Sequence, residues 1–175
     1  TRPENVPFLR RMRATMDKYD ARMMVGEVGE SHKANAIMAE YTADSDKLHM
    51  AYSFEMLSDE FSAAHFRNCV KAFFDAARAR NGWPCWSFSN HDVIRHVSRW
   101  VKHSEDLDAL ARQAAALLLS LEGTICLYQG EELGLPEADI LYEELTDPRG
   151  IRFWPEDKGR DGCRTPMPWQ AGVPH

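Results

Sequence analysis

A chain of 175 residues suits one ordinary domain or a piece of a larger one. Its 21 Lys and Arg against 27 Asp and Glu leave a net charge of −6, which argues against a nucleic-acid backbone as partner. Hydrophobic residues make up 44%, enough for a core, yet no run approaches the roughly 20 apolar residues of a membrane span.

In chain order, Leu9, Met12, Met16 and Tyr19 recur at helical spacing around and after Pro7. Residues 22–25 then read as a short buried strand stopped by Gly26. A helix over 34–41 presents Ile37 and Met38, and 48–54 is the next strand. Ser62 is placed to cap a long helix in which Phe66, Cys69, Val70, Phe73 and Ala77 follow the i, i+3, i+4, i+7 rule. Asn81-Gly82 ends it, with Gly82 as the left-handed cap. Residues 85–88 are strand-like. Leu107, Leu110, Ala111, Ala114, Leu117, Leu118 and Leu121 mark the strongest amphipathic helix, closed by Gly123, and 125–128 is a fourth strand.

The strands are short and apolar without alternation, as parallel strands buried on both faces should be. Their ends fall at Glu27, Phe54, Asn90 and Gln129, at spacings of 27, 36 and 39, the rhythm of βα units in an α/β protein. Residues 1–134 form this repeating part. Residues 135–175 hold six of the nine prolines and read as a long ordered loop, packed on a body through Trp154 and Trp169. The four cysteines, Cys69, Cys85, Cys126 and Cys163, show no C-x-x-C spacing, so they read as reduced, mostly buried thiols of a cytoplasmic protein. The start, Thr1-Arg2-Pro3-Glu4-Asn5, has neither an initiator Met nor an apolar signal core, and it reads as cut from something longer.

Polar residues gather just after the strands: Gly26-Glu27, then Ser89-Asn90-His91-Asp92, then Gln129-Gly130-Glu131-Glu132. In parallel α/β folds the strand C-terminal ends point one way and build the site. Two carboxylates held there meet the requirement for acid–base or nucleophilic work on an acetal. Taken singly, a Glu after a strand is equally a helix cap or a solvated charge, and Asn-His-Asp is equally a turn. His91 and Asp92 lack a third ligand at metal-binding spacing. No Gly-rich phosphate loop and no G-x-S-x-G elbow occur. The sequence therefore predicts no metal and no cofactor.

These residues together resemble the α-amylase family of glycoside hydrolases. Met24-Val25-Gly26-Glu27-Val28 is similar to its strand-five motif, and Phe88-Ser89-Asn90-His91-Asp92 to its strand-seven motif. Tyr128-Gln-Gly-Glu-Glu-Leu-Gly134 resembles its strand-eight segment. Leu135-Pro-Glu-Ala-Asp139, Asp147-Pro-Arg-Gly-Ile-Arg-Phe-Trp154 and Gly159-Arg-Asp-Gly-Cys-Arg-Thr-Pro-Met-Pro-Trp169 resemble segments of its α-glucosidase and oligo-1,6-glucosidase branch.

The resemblance implies a retaining α-glucosidase on a (β/α)8 TIM barrel. Here only strands five to eight, their helices and the C-terminal loop would be present. Glu27 would be the general acid/base, and Asp92 the transition-state-stabilising carboxylate gripping a non-reducing-end glucose. His91, Arg164 and Arg160 would bind that sugar, since a planar, always-charged fork suits both sugar and carboxylate. The alternative for Arg160 is a structural ion pair with Asp161 or Asp157. The family's nucleophile, an Asp in a G-F-R-x-D motif at strand four, is missing, as is the D-x-V-x-N-H motif of strand three. The chain would begin after both, and alone should not turn over substrate. Its partner would be a small oligosaccharide or α-glucoside, with neither nucleic acid nor membrane, and open barrel edges would invite self-association. Transglycosylase, sucrose-active and isomerase relatives share the same residues. A non-catalytic scaffold relative is the reading of another class.

Overall fold

In a computed structural model, which describes residues 2–30 and 33–170, helices and short strands alternate. The order is α1 (Asn5–Met16), β1 (Val25–Val28), α2 (Ala34–Thr42), β2 (Met50–Ser53), α3 (Ala63–Ala77), β3 (Cys85–Trp86), α4 (His96–Arg99), α5 (Leu107–Ser120), β4 (Thr124–Ile125) and α6 (Pro148–Phe153). The chain forms two compact units. The first comprises 1–86 and 121–126, and the second 87–120 and 127–175.

All four strands lie in the first unit. β1 pairs with β2 in parallel, Glu27 standing opposite Tyr52. β3 pairs with β4 in parallel, and a parallel bridge from Ala51 to Pro84 links β2 to the β3 segment. The strands thus follow one another in sequence order, as successive βα units require. β2 is buried along its length, whereas β1 leaves Val25 53% exposed. Among the described residues β1 pairs only with β2, and that open side explains the difference.

The core of the first unit gathers Met38, Ala51, Phe73, Ala77 and Trp86. The Phe73 and Trp86 rings meet edge to face at 5.8 Å, a favoured aromatic geometry. The Ser62 hydroxyl caps α3 by accepting from His65 N–H at 3.1 Å. α1 has the expected apolar spacing, yet none of its residues is buried, and Phe8 and Met12 stay exposed.

In the second unit the buried stripe of α5, Leu110, Ala114 and Leu118, follows the helical period. Phe88 and Trp100 sit fully buried in edge-to-face contact.

Several boundaries depart from the sequence reading. The first strand runs through Gly26 instead of stopping there, because a Cβ at Gly26 would meet the Leu48 side chain at 2.4 Å and glycine leaves that room. Its start moves to Val25, since the backbone turns at Ala21 (φ 54°) and pairing begins with His49 N–H to the Met24 carbonyl. The third and fourth strands shrink to two residues each, so Asn90 and Gln129 lie four residues beyond strand ends. The residue that turns left-handed after α3 is Asn81 (φ 56°), not Gly82, for asparagine tolerates that region. Gly82 is needed instead for room, as a Cβ there would lie 2.9 Å from that of Ala77.

The stretch expected as a loop carries α6 and short 3-10 turns at Tyr142–Glu144 and Asp161–Cys163. Pro148 takes the first turn of α6, where its missing N–H costs nothing. Trp154 packs against Tyr142 at 5.6 Å, while Trp169 is 85% exposed. No described helix is long and apolar enough to cross a membrane. None of the four cysteines is in a disulfide, and burial pushes the Cys69 and Cys163 thiols up to about 11. Cys126 alone of the four is exposed.

Candidate active site

Glu27 belongs to the first unit, as the third of the four residues of β1, and is exposed. The remaining predicted site residues, His91, Asp92, Arg160 and Arg164, all fall in the second unit.

The loop after β3 is fixed from within. The Ser87 hydroxyl donates to the Ser89 carbonyl at 2.6 Å, and the Ser89 hydroxyl accepts from His96 N–H at 3.0 Å. Asn90 Oδ1 accepts from Asp92 N–H at 2.9 Å, an Asx turn that sets the direction of the Asp92 side chain. A single carboxylate oxygen, Asp92 Oδ1, then meets two guanidinium groups. Arg160 Nη1 and Arg164 Nη2 each donate to it at 2.9 Å. Arg164 Nε also donates to the His91 carbonyl at 2.8 Å. His91 Nε2 stands 3.7 Å from the same Asp92 oxygen.

Partial burial works against ionisation of Asp92, but Arg160, His91 and Arg164 outweigh it and hold its carboxyl below the usual range. The cluster is open to water. The Asp92, Arg160 and Arg164 side chains are each about one-third exposed, so a ligand can reach them.

The partners of Arg160 are not those expected. Asp157 accepts instead from Arg149 Nε at 2.6 Å. Asp161 accepts from the Thr146 N–H and hydroxyl, both at 2.7 Å, and from Asp147 N–H at 2.8 Å. Arg160 turns to Asp147: Nε to Oδ2 at 2.8 Å and Nη2 to Oδ1 at 3.1 Å, a fork-to-fork pair. Asp147 Oδ2 also accepts Arg160 N–H at 2.9 Å, and Oδ1 accepts Arg149 N–H at 3.2 Å as the cap of α6. With these donors around it, above all the Arg160 fork, the Asp147 carboxyl sits far below the ordinary carboxylate range.

In the sequence Asp147 stands only as part of a motif, without a role of its own. Its signal was an Asp-Pro pair, read as a family marker rather than as a helix cap with a second task.

The strand-eight acidic cluster also resolves differently. Glu131 was expected at the rim with Glu132. It turns inward, 4% exposed, where Oε2 accepts Tyr128 N–H at 2.9 Å and Oε1 lies 3.2 Å from His96 Nδ1. Gly130, with φ 82°, makes that turn, and a Cβ there would collide with Leu135 at 2.4 Å. Arg95, also buried, donates to the Gln129 carbonyl at 2.5 Å and the Cys163 carbonyl at 3.2 Å, and so ties this turn to the Arg160–Arg164 segment. Tyr128 Oη donates to the same Cys163 carbonyl at 2.8 Å. Among the described residues no group of three or more His, Cys, Asp or Glu is placed to hold a metal ion.

The model of the alpha amylase catalytic domain matches residues 1–174. A probable alpha-glucosidase of Rhizobium meliloti (strain 1021) is 54% identical over 171 residues, covering 97% of this chain and 31% of the relative. An oligo-1,6-glucosidase of Heyndrickxia coagulans is 30% identical over 198 residues, covering 94% and 35%. Among solved structures, the alpha-glucosyl transfer enzyme XgtA superposes with a TM-score of 0.87 at 53% identity, over 97% of this chain and 31% of that one. The chain thus spans about a third of the length of these relatives.

Proposed function

The chain belongs to the α-amylase catalytic-domain family, and from that premise we propose that it forms part of the catalytic domain of a retaining α-glucosidase. The enzyme would release α-glucose from the non-reducing end of small oligosaccharides. In this reading β1 to β4 are the fifth to eighth strands of the (β/α)8 barrel. Glu27, at the end of β1, protonates the departing glycosidic oxygen and then activates water. Asp92 and His91 accept and donate hydrogen bonds to the hydroxyls of the reacting glucose. Arg164 and Arg160 keep Asp92 ionised and aimed.

The observation that carries this reading is the Asp92 carboxylate held by two guanidinium groups through one oxygen. A carboxylate kept charged and left partly open to solvent suits a neutral, hydroxyl-rich ligand and the cationic transition state of glycoside cleavage. Similarity to XgtA favours a second reading with the same residues, in which a sugar hydroxyl rather than water takes the glucosyl group. In a longer protein that carries these residues, product analysis with maltose, isomaltose and sucrose separates the two.

For the chain itself, titration with methyl α-glucoside should shift the amide signals of His91, Asp92 and Arg164 by NMR, and methyl β-galactoside should not. Equal response to both sugars, or none to either, would overturn the proposal. Because these 175 residues hold no G-F-R-x-D nucleophile motif, the isolated chain should not hydrolyse p-nitrophenyl α-glucoside. Sustained turnover would refute that.

A further inference from the structure

Arg160 spends its donors on two carboxylates that differ in burial. Nε and Nη2 face Asp147, whose side chain is 1% exposed, and Nη1 faces Asp92, whose side chain is 33% exposed. A guanidinium is planar and rigid, so fixing its Nε–Nη2 edge on a buried anchor fixes where Nη1 points. The anchor itself is immobilised. It caps α6 through Arg149 N–H, receives Arg160 N–H, and has its own N–H held by Asp161. Gly159 (φ 74°) and Gly150 let the two backbone segments meet, since a Cβ on Gly159 would lie 2.6 Å from Gly150 N and 3.0 Å from Asp147 Oδ2.

We propose that Asp147 is a positioning residue for Asp92: it clamps one edge of Arg160 so that the remaining Nη1 is delivered to the sugar-binding carboxylate. This rests on the reading of Asp92 as the glucose-gripping group. Asp161 extends the same chain of support one step outward, by holding the backbone of Thr146 and Asp147.

Two effects of Asp147 on Asp92 have opposite signs, which makes the role measurable. Asp147 is a like charge, so its removal by itself favours ionised Asp92 and lowers the Asp92 pKa. If it positions Arg160, its removal loosens Nη1 and raises that pKa, while Arg164 and His91 remain beside Asp92. Carboxyl 13C titration of Asp92 in the 175-residue chain reads the difference. In Asp147→Asn the Asp92 midpoint should move upward, and methyl α-glucoside should bind roughly tenfold more weakly, as loss of one charge-assisted hydrogen bond entails. An unchanged or lowered midpoint would overturn the positioning role.

Should Asp147→Asn lose its fold, Asp147→Glu decides. It keeps the charge but moves the carboxylate out of register with the Arg160 fork, so an upward Asp92 midpoint supports the role and an unchanged one refutes it. Glucoside binding by the unaltered chain is read separately. Its absence removes the sugar assignment, and the titration still shows whether Asp147 governs Asp92.

Discussion

Phe73 and Phe88 are both fully buried, but they sit in units built on different terms. Around Phe73 the first unit stacks helices on parallel strands, and its buried side chains are largely apolar ones that fall at strand or helix period. Around Phe88 the second unit has an apolar stripe on α5 and a small buried cluster with Val97 and Trp100. Much of the rest is loop, held by buried Arg95, His96, Glu131 and Asp147 and their hydrogen bonds. Regular elements satisfy their own backbone groups, so their cores can be apolar. Loops that cross a site cannot, and charged side chains must supply the missing partners. The cost is that each such charge depends on a small set of specific partners. The gain is that carboxylates and guanidinium groups end up fixed where a ligand can meet them.

The largest expected effect breaks the apolar side of this contrast. Phe73→Ala should destabilise the chain by about 3–5 kcal/mol, as lost transfer energy and a residual cavity combine. Urea unfolding followed by circular dichroism measures it. A cost under about 1 kcal/mol would mean the first unit is not held by this core.

A smaller effect breaks the charged side. In the second unit the carboxyls of Asp92, Asp147, Asp157 and Asp161 are all held below the ordinary range. Arg160 is the chief cause at Asp147, and at Asp157 the Gly159 N–H and Arg149. At Asp161 burial opposes ionisation, and the Asp147 N–H and the N–H and hydroxyl of Thr146 overcome it. Unfolded carboxyls titrate near about 4. As pH falls below that, the unfolded state takes up protons first, and stability declines until the native carboxyls also protonate. Hydrogen exchange at about pH 3 should therefore open residues 145–165 before α3, whose buried Phe66, Cys69, Phe73 and Ala77 do not titrate in this range. Simultaneous opening would erase the distinction.

The smallest effect sharpens it, because it tests a polar contact within the apolar unit. Ser62→Ala should cost about 1 kcal/mol, and Ser62→Gly only a few tenths, if the cap on His65 N–H is its sole contribution. Thermal unfolding of the two variants decides.

Much of the regular structure is legible in the sequence because its signals are local. Periodicity gave two helices: Phe66, Cys69, Phe73 and Ala77, and Leu110, Ala114 and Leu118, are buried as expected, whereas Val70 is half-buried and Leu107, at the start of its helix, is exposed. The order of short apolar runs gave parallel βα units. Strand limits were less legible, because Gly26 looked like a stop and proved to be the residue that lets Leu48 approach. Glu131 looked like its neighbour Glu132, yet one is buried against His96 and the other exposed.

The sequence by itself determined the alternation of elements through periodicity, and the family and the presence of Glu27, His91, Asp92, Arg160 and Arg164 through its motifs; in the fold Glu27 lies within β1 and the other four lie outside strands and α-helices. Only the tertiary structure decided which carboxylate each arginine takes. Arg160 reaches Asp92 across 68 positions and Asp147 across 13, while the nearer Asp161 and Asp157 bind elsewhere. Charge attraction is nearly indifferent to sequence distance once the chain is folded, and backbone turns, not spacing, choose the partner.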